Sequence, residues 1–102
     1  MGVGVRLTCS LCNTSYDLVE GHGFFVEQAI KYCRDCEELV SVLIGFVPNC
    51  PEEEISKGRH HVDKYANRCS NCNGLNLDDW PSTNPCPTCG KPMQREETYL
   101  WD

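Results

Sequence analysis

The chain has 102 residues, nine cysteines, 40% hydrophobic content and a formal net charge of -6. That length allows one ordinary domain or two very small ones, and halves cut near Cys50 would bury too little surface to fold without disulfides, metals or a partner. The acidic balance argues against a general nucleic-acid binder, whose affinity rests on neutralising phosphates, while leaving room for a local basic patch.

Met1 to Thr8 lacks the charged region and long apolar run of a secretory signal. Its alternating Val3, Val5 and Leu7 predict a strand that leads into the first Cys-x-x-Cys pair, Cys9 and Cys12. Gly21 and Gly23 predict a turn, with His22 as a turn residue and Phe24 to Val26 starting another strand. The second pair, Cys33 and Cys36, is followed by Leu39 to Phe46, whose residues suit a pleated surface. The longest apolar stretch, Leu39 to Val47, is broken by Ser41 and Gly45 and is far short of a membrane span of ~20 residues. The expected compartment is the cytoplasm, where thiols stay reduced and paired cysteines bind metal more often than they form disulfides.

Residues 48–58 carry two prolines, the Glu52 to Glu54 run and a glycine, and read as a linker, with a short helical turn allowed near Pro51. The expected division is a first unit over 1–47, the linker, and a second unit over 59–102. Within the second unit Cys69 and Cys72 form the third pair, Leu75 to Pro85 reads as loop with a short strand at most, and Cys86 and Cys89 form the fourth pair.

Four Cys-x-x-Cys pairs are a strong metal signal. Two residues of spacing let both sulfurs of a turn face inward, and two facing turns supply the four thiolates that zinc favours. A thioredoxin-type redox motif occurs once in a strand-helix context, which four copies do not fit. The expected ligands are Cys9, Cys12, Cys33, Cys36, Cys69, Cys72, Cys86 and Cys89, holding two Zn(II) ions. Iron is the rival, because a reduced four-cysteine site accepts it too. Consecutive pairing is the expected one, because the linker between Cys36 and Cys69 makes independent halves the simpler geometry: Cys9, Cys12, Cys33 and Cys36 on one ion and the remaining four on the other. A cross-braced arrangement would join the first pair with the third and the second with the fourth.

Cys69 to Met93 resembles a zinc ribbon, and Cys86-Pro87-Thr88-Cys89-Gly90 matches that class's commonest knuckle. Asp78-Asp79-Trp80 with the following Cys-Pro-x-Cys-Gly is similar to rubredoxin, as is the run from Cys9 to Asp17. Asn13, Glu37 and Asn73 stand where glycine usually follows the second cysteine. With Glu20 to Phe24 and the Tyr32 to Val42 segment, the whole chain resembles small bacterial zinc-ribbon proteins. The resemblance implies a small, mainly β fold of two successive ribbons built from short antiparallel strands, and a metal, but no activity. In a ribbon a strand follows each knuckle, which favours strands over the helix that Val26 to Leu43 would also allow.

Outside the pairs, Cys50 reads as an ordinary linker cysteine. A nucleophilic role would need a base, and His60 and His61 are the nearest in sequence. Lys57 to Arg68, with Tyr65 for stacking, is the best nucleic-acid footprint, although a solvated hairpin edge protected by lysine and arginine is the more common explanation. Lys31 and Arg34 would offset thiolate charge. Aromatic residues default to the core, while Trp101 has the alternative of docking on the other half or on a partner. Closed four-thiolate sites leave no open metal position, so no enzymatic activity is expected. The expected role is a non-catalytic zinc module that binds protein, with nucleic-acid binding through 57–68 and rubredoxin-like electron transfer with iron as alternatives.

Overall fold

A computed structural model describes residues 2–101. Two hairpins come first: β1 (Gly2–Cys9) with β2 (Thr14–His22), and β3 (Val26–Cys33) with β4 (Glu38–Phe46). A helix, α1 (Glu52–Tyr65), a short strand, β5 (Leu77–Asp79), and a last strand, β6 (Gln94–Trp101), complete the order. The fold is small, mainly β and antiparallel, as expected. The sheet order is β4-β3-β2-β1-β6, with β5 joined to β3. No helix of the described residues is long and apolar enough to cross a membrane.

The first two cysteine pairs are the turns of the two hairpins, and this decides the architecture. β1 and β2 pair along their whole length from Gly2↔Gly21 to Cys9↔Thr14, and β3 and β4 pair from Val26↔Phe46 to Cys33↔Glu38. Between the hairpins, β2 and β3 pair only at Gly21↔Gln28 and His22↔Glu27. That short ladder lies at the end opposite both cysteine turns, so the two hairpins diverge toward their tips. β5 takes the vacated edge of β3, pairing Lys31↔Asp79, Tyr32↔Asp78 and Cys33↔Leu77. Lys31 Nζ meets Asp79 at 2.6 Å and Arg34 meets Asp78 at 3.5 Å, so these two bases are used on β5 carboxylates.

One buried cluster contains Val5, Leu7, Leu18, Ile30, Leu39 and Met93 together with Cys9 and Cys86. Trp80 and Tyr32 pack against it, with ring centroids 5.3 Å apart and planes 25° from parallel, and Trp80 Nε1 donates to the Pro85 carbonyl at 2.9 Å. A second cluster joins Val40 and Val42 to Cys33 and Cys69. Each apolar cluster thus contains two cysteines from opposite halves of the sequence.

The linker reading is replaced from Glu52 onward by fourteen residues of helix. Pro51 sits at the N-cap, where its missing N–H costs nothing, and Glu52, Glu53 and Glu54 complement the dipole of the first turn. Val62 is the residue of α1 that is buried. The helix ends at Tyr65 with Ala66 as an extended C-cap whose N–H donates to the Val62 carbonyl, and the N–H of Asn67, whose φ of 58° is left-handed, donates to the Leu43 carbonyl at 2.7 Å, tying the helix exit to β4. The Lys57 to Arg68 segment is therefore helix and its exit, not a hairpin edge.

β6 also goes beyond the sequence reading. Trp101 and Tyr99 lie opposite Gly2 and Gly4 of β1, and a Cβ on Gly4 would stand 2.2 Å from the Tyr99 ring. Trp101 Nε1 donates to the Glu20 carbonyl at 3.1 Å, so Trp101 docks on the first part of the chain. Phe24 and Tyr99, by contrast, are largely exposed and not core. Gly4→Ala is expected to destabilise the protein by about 1 kcal/mol, because the ring must leave its cross-strand seat. In the Tyr99→Ala background the same change should cost clearly less in urea melts.

Candidate metal centres

The structure gathers the eight paired cysteines into two groups that could each hold a metal ion: Cys9, Cys12, Cys86 and Cys89, and Cys33, Cys36, Cys69 and Cys72. The first pair joins the fourth and the second joins the third. This nested arrangement differs from both the consecutive and the cross-braced pairings. The diverging hairpins are the reason: the turns at Cys9 to Cys12 and Cys33 to Cys36 sit on separate tips, so each tip is completed by a knuckle from the later part of the chain. Residues 1–47 and 59–102 consequently share both sites, and neither part closes a site by itself.

Within each group the sulfurs lie within 4.8 Å of one another. Cys9 and Cys89 are 3.6 Å apart, Cys33 and Cys72 3.7 Å, and Cys36 and Cys69 3.9 Å. A tetrahedron with metal–sulfur bonds of ~2.3 Å has edges of about 3.8 Å, so the donor sets fit a four-coordinate ion. A disulfide needs an S–S distance of about 2.05 Å, and all nine cysteines are free. The first cysteine of every pair is buried, while Cys12 and Cys36 are half-buried and Cys72 and Cys89 are exposed.

Backbone amides face the sulfurs. The N–H groups of Asn71 and Cys72 donate to Cys69 Sγ at 3.3 and 3.5 Å, the Cys36 N–H donates to Cys33 Sγ at 3.4 Å, and the Asn71 side-chain amide reaches Cys36 Sγ at 3.5 Å. Burial alone would raise the Cys69 thiol, yet these amides and the neighbouring thiols bring it down to about 7. Cys86 reaches about 7 in the same way: burial opposes, while the amides of Cys89 and Thr88 prevail. Hydrogen bonding to Cys89 raises Cys12 to about 12, and hydrogen bonding to Cys72 does the same for Cys36. A metal-free cluster therefore stabilises one thiolate readily and resists accumulating four, and a cation resolves that repulsion.

The residue after each pair explains a departure noted in the sequence. Asn13, Glu37, Asn73 and Gly90 all have positive φ, at 54°, 56°, 60° and 79°. The Glu37, Asn73 and Gly90 N–H groups donate to the carbonyls of Cys33, Cys69 and Cys86 at 2.8 to 2.9 Å, which closes each knuckle. Asparagine tolerates this region and glycine adopts it freely, whereas glutamate does so at a cost. Glu37→Gly is expected to stabilise the metal-loaded protein by about 1 kcal/mol, and Gly90→Ala to destabilise it by a similar amount, in denaturant melts.

The remaining candidates stay outside these groups. Cys50 Sγ lies 3.7 Å from the Pro51 carbonyl, His22 pairs with Glu27 at 3.1 Å, and His61 packs on Tyr65 with centroids 4.7 Å apart. His60 and His61 both lie on α1. No protein-family model, curated protein or solved structure matches the chain.

Proposed function

We propose that the chain is a non-catalytic zinc-binding module that presents its surface to a protein partner. The observation that carries this reading is the closure of each group by four thiolates at tetrahedral spacing, which leaves a bound ion no position for water or substrate. Metal then serves to hold the strands and α1 in place, and the work is done by the surface so fixed. The acidic balance favours protein over nucleic acid.

The basic segment supports nucleic-acid binding less than its sequence suggests. Lys57 is engaged by Glu53 and Glu54 at 3.7 and 3.6 Å, and Lys64 lies over the Tyr65 ring at 5.3 Å. Iron would fit the same sulfurs, so metal identity is decided by elemental analysis of protein purified without added metal. Colourless protein with two zinc ions per chain is the expected result, and coloured protein with stoichiometric iron would favour electron transfer. Affinity capture with the zinc-loaded chain should recover a reproducible protein partner; recovery of nucleic acid alone would overturn the reading.

A further inference from the structure

A groove runs along α1 where the helix faces the β3–β4 hairpin and the Cys69 to Cys72 knuckle. Its larger part is a cavity of ≈ 380 Å³, with Val26 and Leu43 as apolar floor, His61 and Tyr65 on the helix side, and Arg68 beside the knuckle residues Ser70 to Asn73. A second cavity of ≈ 300 Å³ shares Val26 and His61 with the first and adds Phe25, Phe46 and Val62. Volumes of this size, with an apolar lining and a few convergent polar groups, are those of ligand sites.

The two ends differ chemically. At the Phe25 and Phe46 end the charges already cancel, because Lys57 is paired with Glu54. At the knuckle end no Asp or Glu lines the cavity, and the anionic neighbour of Arg68 there is the Cys69 thiolate, whose charge an ion in its cluster offsets in part. Arg68 donates through Nη1 to the Asn73 carbonyl at 3.2 Å, and no carboxylate lies within ion-pairing distance of it among the described residues. A planar guanidinium with free donors, set at the end of an apolar channel, is suited to a carboxylate that arrives with an apolar group attached.

We propose that this groove docks an extended segment of a partner protein, seating an apolar side chain between Phe25 and Phe46 and an Asp or Glu side chain on Arg68. The inference rests on the protein-binding reading above and names the surface and the chemistry it recognises. The two cavities share Val26 and His61, so one extended segment can reach both. Because the knuckle forms one wall, loading of the Cys33, Cys36, Cys69 and Cys72 group fixes the Arg68 end, and docking is linked to that ion.

The test uses the zinc-loaded full chain and acetylated, amidated glycine peptides carrying one Phe and one Glu separated by one, two or three residues. Matched peptides replace Glu with Gln, and 3-phenylpropionate provides the same chemistry without a chain. In amide NMR titrations, at least one Glu peptide should give saturable shifts at Gly58, Ser70, Asn71 and Asn73, with the Gln peptide at least tenfold weaker. Arg68→Ala, checked for two bound ions, should abolish the difference between Glu and Gln. Ser70→Glu, which puts a competing carboxylate in the wall, should weaken the Glu peptide selectively.

Equal shifts from Glu and Gln peptides, shifts confined to other surfaces, or no shifts would overturn the proposal. So would equal saturation by 3-phenylpropionate, which would make the groove a small-molecule site. If Arg68→Ala changes only metal retention, Arg68 offsets thiolate charge and the docking role is wrong. Should wild-type and Arg68→Ala chains capture the same partner equally, the adaptor reading stands and this groove does not serve it.

Discussion

Removal of metal by a strong chelator is expected to unfold the chain, with loss of amide NMR dispersion and of the cooperative melt. Structural zinc supplies about 10–16 kcal/mol of apparent binding energy per ion in small zinc-finger peptides at neutral pH, which matches or exceeds the roughly 5–15 kcal/mol by which whole domains are stable. Among the described residues, four of the thirteen buried hydrophobic ones are cysteines of the two groups. Without an ion, no bond ties Cys9 to Cys86 in one apolar cluster or Cys33 to Cys69 in the other.

The pH dependence has a definite sign. With Cys69 and Cys86 at about 7 and Cys12 and Cys36 at about 12, the metal-free clusters hold protons at neutral pH that the metal-bound clusters do not. The metal-free state therefore gains protons on loading's reversal, and lowering the pH favours metal loss. Chelator midpoints should fall between pH 8 and pH 6. A fold that keeps its melt after both ions are removed would show that the sulfurs are only incidental to stability.

Cutting the chain between Val47 and Pro51 should leave two fragments that fail to fold separately and assemble one-to-one when mixed with zinc. This follows from the nesting, because each group takes two cysteines from either side of the cut. β1 also loses its partner β6, and β3 loses β5. Analytical ultracentrifugation with circular dichroism of the separate and mixed fragments checks it. Independent folding of each fragment around its own ion would contradict the fold.

Much of this was legible in the chain. The eight ligand candidates, the strands at Val3 to Leu7 and Leu39 to Phe46, and the short strand after Cys72 follow from local spacing and alternation. The grouping of the cysteines was not, because it depends on β2 and β3 parting after two residue pairs, and nothing in Tyr16 to Glu20 announces that a ladder stops. β6 escaped for a related reason: Gln94 to Leu100 are exposed and show no buried face, and the strand is held by two glycines almost a hundred residues away in sequence. The helix was visible at its start, in Pro51 and the three glutamates, but its length depends on Val62 packing and on the contact of Asn67 with Leu43. Long-range contacts decided each of these, and local pattern does not carry them.

The architecture turns on which knuckles share an ion, and native mass spectrometry of two quadruple variants tests that most directly. Cys9→Ser, Cys12→Ser, Cys86→Ser and Cys89→Ser together empty one group and should leave one zinc ion per chain, bound at the other. Cys9→Ser, Cys12→Ser, Cys33→Ser and Cys36→Ser halve both groups and should leave no tightly bound ion. One retained ion in the second variant with none in the first would mean that consecutive knuckles pair, and would contradict the nested architecture.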